Sequence, residues 1–232
     1  MHMNMKVIRR NLLRVTAIGF ILVFFIAILP MTQNAALGEE QKPIQLSKPQ
    51  TFGNPLMQLL AKRSSSRGFS SEPLPVNILS NMLWAASGIN RPESGKRTAP
   101  SASNRQEIDI YVATAAGIYL YDAKSNLLKP ILAEDIRGLT GTQAYVKEAA
   151  VNFIYVADYS KMSSSSDEVK NMYAAVATGF ISENVYLYCA SEGLSTVIRA
   201  SIDRPALAKV MGLRPDQKII LAQSVGYPKK QK

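Results

Sequence analysis

Two short runs gather the groups that could bind a ligand. Arg63-Ser64-Ser65 offers a guanidinium, two hydroxyls and three backbone N–H groups within three residues. A phosphate dianion is held by such charge-assisted donors. The same residues also suit an ordinary basic helix end, stabilised by the helix dipole. The second run, Arg97-Thr98-Ala99-Pro100-Ser101-Ala102-Ser103-Asn104-Arg105-Gln106, packs guanidinium, hydroxyl and amide groups just ahead of a strand-like segment. A polar loop feeding a buried strand is a common ligand-holding arrangement. It is equally a solvated turn built by Pro100 and the serines.

Absences narrow the chemistry. The sole histidine is His2 and the sole cysteine is Cys189, so neither a Ser-His-Asp nor a Cys-His system can be assembled in the body of the chain. Zinc sites of Cys/His type are excluded on the same count, and Cys189 has no partner for an intramolecular disulfide. Chemistry therefore falls to a carboxylate, Lys or Tyr, or to a bound cofactor, and the cofactor is the better reading. The formal charge is +10, and +6 without Lys6, Arg9, Arg10 and Arg14. Basic residues are not clustered beyond Lys229-Lys230-Gln231-Lys232, which argues against nucleic acid and for a mildly anion-attracting surface.

Residues 1–38 read as an export signal. A basic stretch to Arg14 precedes the uncharged Val15–Leu29, then Pro30 and the small, polar Thr32–Gly38. The apolar core is shorter than the ~20 residues of a spanning helix. Cleavage after Ala36 or Gly38 is expected, with an uncleaved membrane anchor as the alternative. Arg9-Arg10-Asn11-Leu12-Leu13-Arg14 resembles a twin-arginine signal, whereas the apolar Phe20–Leu29 suits general secretion. Both routes predict a periplasmic location in a bacterium. Residues 39–53, with Pro43 and Pro49 and no period, read as a linker.

Residues 54–232 read as one domain. Asn54-Pro55 is expected to open a helix carrying Leu56, Leu59 and Leu60. Val76–Ser87 is a second amphipathic helix, stopped by Gly88. Glu107–Thr114, Ile118–Tyr121 and Leu127–Leu132 predict an antiparallel meander, and Val151–Ala157 a buried strand. Ser165 with Glu168 predicts the cap of a long helix to Ser191, with Val169, Met172, Tyr173, Val176 and Phe180 at helical spacing, and its length points to a central buried element. Thr196–Ala200 and Lys218–Val225 are strands, and Asp203-Arg204-Pro205 starts a helix to Met211. The fold class is α+β: an antiparallel or mixed sheet with helices packed on it. Tyr111, Tyr119, Tyr121 and Cys189 are read as core.

From Leu59 to Pro228 the chain resembles the FMN-dependent nitroreductase family, nearest its thiazole/oxazole-forming dehydrogenase branch. The segments behind this are Arg63–Phe69, Leu83–Gly88, Arg97–Gln106, Gly117–Tyr121, Ala190–Thr196 and Val225–Pro228. The resemblance implies FMN as cofactor, with Arg63, Ser64 and Ser65 on its phosphate. It places Arg67 at the pyrimidine edge, where a cation stabilises the reduced ring. Asn104 would meet the N3/O4 edge, where one side chain must both donate and accept. Pro100, Ser101, Ser103 and Gln106 would be its neighbours, with Arg97 on a flavin hydroxyl or phosphate. Ala200 and Ser201 match the backbone that faces flavin N5, although the acidic-Gly pair usual there is absent. Lys229 or Lys230 would close on the phosphate.

The resemblance further implies a homodimer with FMN at the subunit interface, with the long Ser166–Ser191 helix as its dimer element. The expected function is an exported oxidoreductase passing a hydride or electron pair through flavin N5, to or from a small organic or peptide substrate. The rival readings are an NAD(P)H-driven nitro- or quinone reductase and a non-catalytic binding module that kept the fold.

Overall fold

The computed structural model describes residues 41–49, 53–162 and 165–229. Residues 1–38, read above as an export signal, lie outside the described residues, as do His2 and Lys230. Thirteen elements follow in order. They are β1 (Ile44–Gln45), α1 (Leu56–Lys62), α2 (Val76–Ser87), β2 (Ile89–Arg91), β3 (Lys96–Arg97), β4 (Ile108–Thr114), β5 (Gly117–Asp122), β6 (Leu127–Leu132), β7 (Val151–Asp158), α3 (Asp167–Glu192), β8 (Ser195–Arg199), α4 (Arg204–Val210) and β9 (Gln217–Gly226). Short 3-10 turns punctuate the loops.

Seven strands form one sheet in the order β1-β6-β5-β4-β7-β9-β8, and every pairing is antiparallel. The strand β7 explains the layering, because all eight of its residues are buried. Val151, Phe153, Tyr155 and Ala157 point to the core shared with α2 and α3, while Ile154 and Val156 join α4 and Ile136 on the other face. A strand covered on both sides loses the polar alternation of a half-exposed one. The expected meander is β4-β5-β6, with Tyr111 paired to Leu120 and Tyr121 to Leu128. Tyr111, Tyr119, Tyr121 and Cys189 are all core residues. Burial raises the thiol pKa of Cys189, which keeps it neutral and inert.

Several boundaries differ from the sequence reading. Pro55, not Asn54, occupies the α1 N-cap position, and the Asn54 amide instead donates to Ser191 Oγ at 3.3 Å. The α3 cap is Ser166 rather than Ser165, its hydroxyl accepting the Val169 N–H. Part of the expected linker belongs to the sheet: Ile44 and Gln45 pair with Leu128 and Leu127, and Leu46 is buried. The stretch expected to be partly helical, 134–148, holds only two 3-10 turns, Arg137–Thr140 and Ala144–Lys147.

The largest correction concerns α3. The apolar stripe expected to be buried is outward: Met172, Val176 and Phe180 are 51%, 46% and 45% exposed. Its buried face is instead Ala174, Ala177, Thr178, Ile181, Ser182, Val185, Tyr186 and Cys189. Ala174, Ala177, Thr178 and Ser182 make up half of that face, beside the larger Ile181, Val185, Tyr186 and Cys189. The helix α1 is similar, since it buries no residue and exposes Leu56, Met57 and Leu60.

The β5–β6 turn gives a pH-dependent prediction. Asp122 accepts the N–H groups of Lys124 and Ser125 at 2.9 and 3.2 Å and pairs with Lys129 at 2.7 Å. The Lys129 ammonium, opposed by burial and helped by those N–H groups, brings its carboxyl down to about 2. A pKa lower in the folded than in the unfolded chain stabilises the fold above the unfolded value, and the gain disappears as pH falls through the folded one. Asp122→Asn should therefore be less stable than wild type at pH 6, with the difference closing between about pH 4 and pH 2. Denaturant melts that show the same gap at both ends contradict this role.

Candidate functional site

Edge strand β8 pairs with β9 on one side only, so alternate backbone groups face outward on the other. The chain after α1 runs along that edge. Ser66 N–H donates to Thr196 O at 2.9 Å, and Ser195 Oγ lies 3.1 Å from Ser66 Oγ. Two residues on, the Ile198 N–H donates to the Tyr186 hydroxyl at 3.0 Å, and that hydroxyl lies 2.9 Å from Ser65 Oγ. The Arg63 guanidinium sits over the Tyr186 ring, 5.4 Å from its centroid. The run then closes against the chain end, with Ser70 N–H donating to Tyr227 O, Lys229 N–H to Gly68 O, and Phe69 bridged to Pro228.

This arrangement brings Arg63, Ser64, Ser65 and Arg67 together on one sheet edge. Ser64 and Arg67 are exposed, and neither makes a hydrogen bond or ion pair among the described residues. The backbone groups of Thr196 and Ile198 point off the edge, and Ala200, the exposed residue after the last strand position, would continue that alternation. Its N–H makes no hydrogen bond among the described residues, whereas Ser201 O accepts from Thr142 N–H at 3.1 Å. Lys229 lies at the end of this cluster, beside a groove of about 840 Å³ walled by Phe69–Glu72, Glu148, Tyr227 and Pro228. Its ammonium is 3.3 Å from Glu148, and both side chains are at least half exposed, so the pair holds Lys229 weakly.

The second run is elsewhere. The stretch Arg97–Gln106 passes along α2 and α3 and enters β4, with Gln106 as its hub. The Gln106 N–H donates to Ser101 Oγ at 2.9 Å, and its amide nitrogen donates to Gly95 O and to Asn104 Oδ1, both at 3.1 Å. Gln106 Oε1 accepts from Arg97 Nε at 2.9 Å, and Arg97 Nη1 donates to Ser87 O at 2.8 Å. Burial lowers the Arg97 pKa, and the nearby Tyr121, Asp109 and Asp122 act in the opposite direction. Ser103, Asn104 and Gln106 take φ values of 52°, 53° and 50°. Left-handed conformations in non-glycine residues cost about 1–2 kcal/mol each, so these bonds are what keep the loop in shape.

Ser101, Gln106 and Arg97 thus shape the loop, while Pro100, Ser103 and Asn104 are exposed on it. The Asn104 amide nitrogen makes no hydrogen bond among the described residues, which leaves a donor and part of an acceptor for a ligand edge. Under the loop lies a cavity of about 10 Å³, walled by Ser87, Arg97, Ser101, Gln106 and Glu107 among others. The Glu107 carboxyl oxygens are buried without a hydrogen-bond partner among the described residues. A cavity of this size admits one water-sized group.

The two clusters do not meet. Ala200 follows Arg199, which pairs with Ala222 on β9, and β7 and β4 lie beyond. Three strand spacings, about 14 Å, separate β8 from β4. Along α3, Ala177 and Ile181 wall the loop cavity, while Tyr186 serves Ser65. The nine residues from Ala177 to Tyr186 span about 13 Å of that helix, which packs against β4, β9 and β8 in turn. A further groove of about 730 Å³ between α3, α4 and β9 contains none of the expected site residues.

Sequence reasoning passed over Tyr186 and Arg199. Tyr186 joins Arg63, Ser65 and Ile198, and its place in the ladder Tyr186, Cys189 on α3 gave no local sign of this. Arg199 was read only as a strand residue, yet it is buried and bonded to four groups from three segments.

Tyr186→Phe should lower stability by about 1 kcal/mol, since it leaves the Ile198 N–H unpaired. Hydrogen exchange at Ile198 and Ser66 should accelerate with it. Unchanged exchange at both amides would remove Tyr186 as the link between segment and strand.

The profile of the nitroreductase family matches residues 60–227. A protein of Methanocaldococcus jannaschii whose name places it among the nitroreductases is 30% identical over 152 residues, covering 61% of this chain and 76% of its own. A crystal structure from Ralstonia eutropha JMP134, named in the same way, is 41% identical, with a TM-score of 0.79 over 82% of this chain and 91% of that one. The NADPH:FMN oxidoreductase of Vibrio harveyi, solved in complex with NAD+, shares the fold at 19% identity and a TM-score of 0.58, over 76% and 70% of the two chains. The chain belongs to the nitroreductase family, a family of typically flavin-dependent oxidoreductases.

Proposed function

We propose that this chain is an exported FMN-dependent oxidoreductase that works as a homodimer, each site drawing on both copies. One observation carries the dimer reading. N5 and O4 are neighbouring atoms of the flavin, yet Ala200, matched to N5, and Asn104, matched to the N3/O4 edge, stand three strands apart on one chain. A second copy is needed to bring a loop to the β8 edge of the first. The outward stripe Met172, Val176 and Phe180 on α3, with Leu56, Met57 and Leu60 on α1, supplies an apolar surface for it.

The residues at the β8 edge fit the cofactor. Arg63, held over Tyr186, and the exposed Ser64 hydroxyl provide donors for a phosphate, and Ser65 stays linked to the strand. Arg67 adds a second cation, and the outward Ala200 N–H is a free donor on the same edge. Bound FMN would supply hydride or electron-pair chemistry at N5. The chain would bind, orient and tune it, since the described residues include no histidine and Cys189 is an inert core thiol. The basic-then-apolar order of residues 1–38 supports export, and NAD(P)H is a cytoplasmic donor. A small organic or peptide substrate is accordingly the proposed electron partner.

The purified domain should take up FMN with a flavin absorption spectrum and sediment as a dimer. Arg63→Ala should weaken FMN binding by about ten- to a hundredfold, as expected for a charge-assisted contact. A colourless protein that ignores added FMN contradicts the cofactor, and a monomer that binds FMN fully contradicts the shared site.

A further inference from the structure

Arg199, the last residue of β8, is 7% exposed. Its Nη1 donates to Thr140 O, and its Nη2 to Thr140 Oγ1 at 3.0 Å and Asn152 Oδ1 at 2.8 Å. Nε and Nη2 also reach Ser224 Oγ, at 3.3 and 3.2 Å. Every one of these acceptors is neutral, and no carboxylate lies within ion-pair distance of Arg199 among the described residues. The site is built around it: a Cβ on Gly141 would collide with the guanidinium, and Asn152 is held in turn by Val146 O at 2.9 Å. Burial lowers the guanidinium pKa to about 10, which still leaves it charged at neutral pH.

A buried cation without an anion is costly, and an interior of low dielectric lets its field reach farther than a surface charge would. Neutral hydrogen bonds fix its position but do not cancel its charge. Its backbone leads directly into Ala200, whose N–H is the free outward donor of the β8 edge. We infer that Arg199 is an electrostatic positioning residue of the site, a fixed buried positive charge behind the β8 edge that favours the reduced, negatively charged form of the bound cofactor. Arg199 touches neither cofactor nor substrate in this role. It acts through the field it holds beneath the strand and through the order it gives to residues 140–142, which hydrogen-bond to Ser201. The cation Arg67 is exposed, so solvent screens it more strongly than Arg199.

This inference rests on the FMN reading, and the experiment separates the two. The midpoint potential of bound FMN is measured by spectroelectrochemistry for wild type, Arg199→Lys, Arg199→Met and Arg199→Gln, with the thermal melt of each as a check on folding. Wild-type FMN should lie above free FMN in potential. Loss of the charge in either neutral variant should lower the preference for reduced over oxidised FMN about tenfold, or ~30 mV for a two-electron couple. Arg199→Lys should retain most of the wild-type value. A merely structural role would lower the melting temperature and leave the potential in place. A wild-type protein that takes up no FMN overturns the cofactor reading. A coloured wild type with a potential at or below that of free FMN overturns the role of Arg199 even where the neutral variants do not fold. So does a neutral variant that folds with the wild-type potential.

Discussion

The unpaired edge of β8 is the constraint from which the candidate site follows. A sheet edge presents backbone N–H and C=O groups that must find partners or water. Here Thr196 O and the Ile198 N–H are satisfied by Ser66 and Tyr186, and that requirement lays the segment 63–70 along the strand. The cationic and hydroxyl groups of Arg63, Ser64, Ser65 and Arg67 are therefore collected by backbone accounting. Two residues farther, at Ala200, the N–H has no hydrogen-bond partner among the described residues. The strand also carries the buried Arg199 on its inner side. A single edge strand thus organises the candidate anion-binding groups, the free N–H and the fixed charge.

The same geometry limits what one chain can do. The loop Arg97–Gln106 is rigid, since three left-handed residues are held by the Gln106 hub, and it is anchored to α2 and α3 rather than to β8. A loop so held would present Asn104 in one orientation. The same rigidity prevents the loop from reaching across three strands to its own β8. The large side chains on the outer faces of α1 and α3 belong to the same account, since they leave an apolar surface uncovered on a single chain.

Much of this was legible in the sequence. The helix Val76–Ser87 and the strand Leu127–Leu132 read correctly to the residue, because Pro75 and Gly88 bound the first and turns bound the second. The family segments were visible as short motifs in the right order. The direction of α3 was not legible: a stripe at three- and four-residue spacing has the same period whether it meets a sheet or another protein, and the competing inner face mixes Ala, Thr and Ser with Ile181, Val185 and Tyr186. Ile44–Gln45 was missed because two residues carry no period at all. Tyr186 and Arg199 were missed for a different reason. Their partners lie far away in sequence, Ser65 at a separation of 121 residues and Asn152 at 47, and only the folded sheet brings them together.

The shared site is the central claim, and subunit complementation tests it most directly. Arg63→Ala/Ser65→Ala damages the β8-edge half, and Asn104→Ala/Gln106→Ala damages the loop half, so each homodimer alone should bind FMN poorly. Mixed and allowed to exchange subunits, the two variants should form heterodimers in which one of the two sites is intact, and FMN binding should recover towards one flavin per heterodimer. Binding that stays at the level of the separate variants, with subunit exchange verified, would contradict the account.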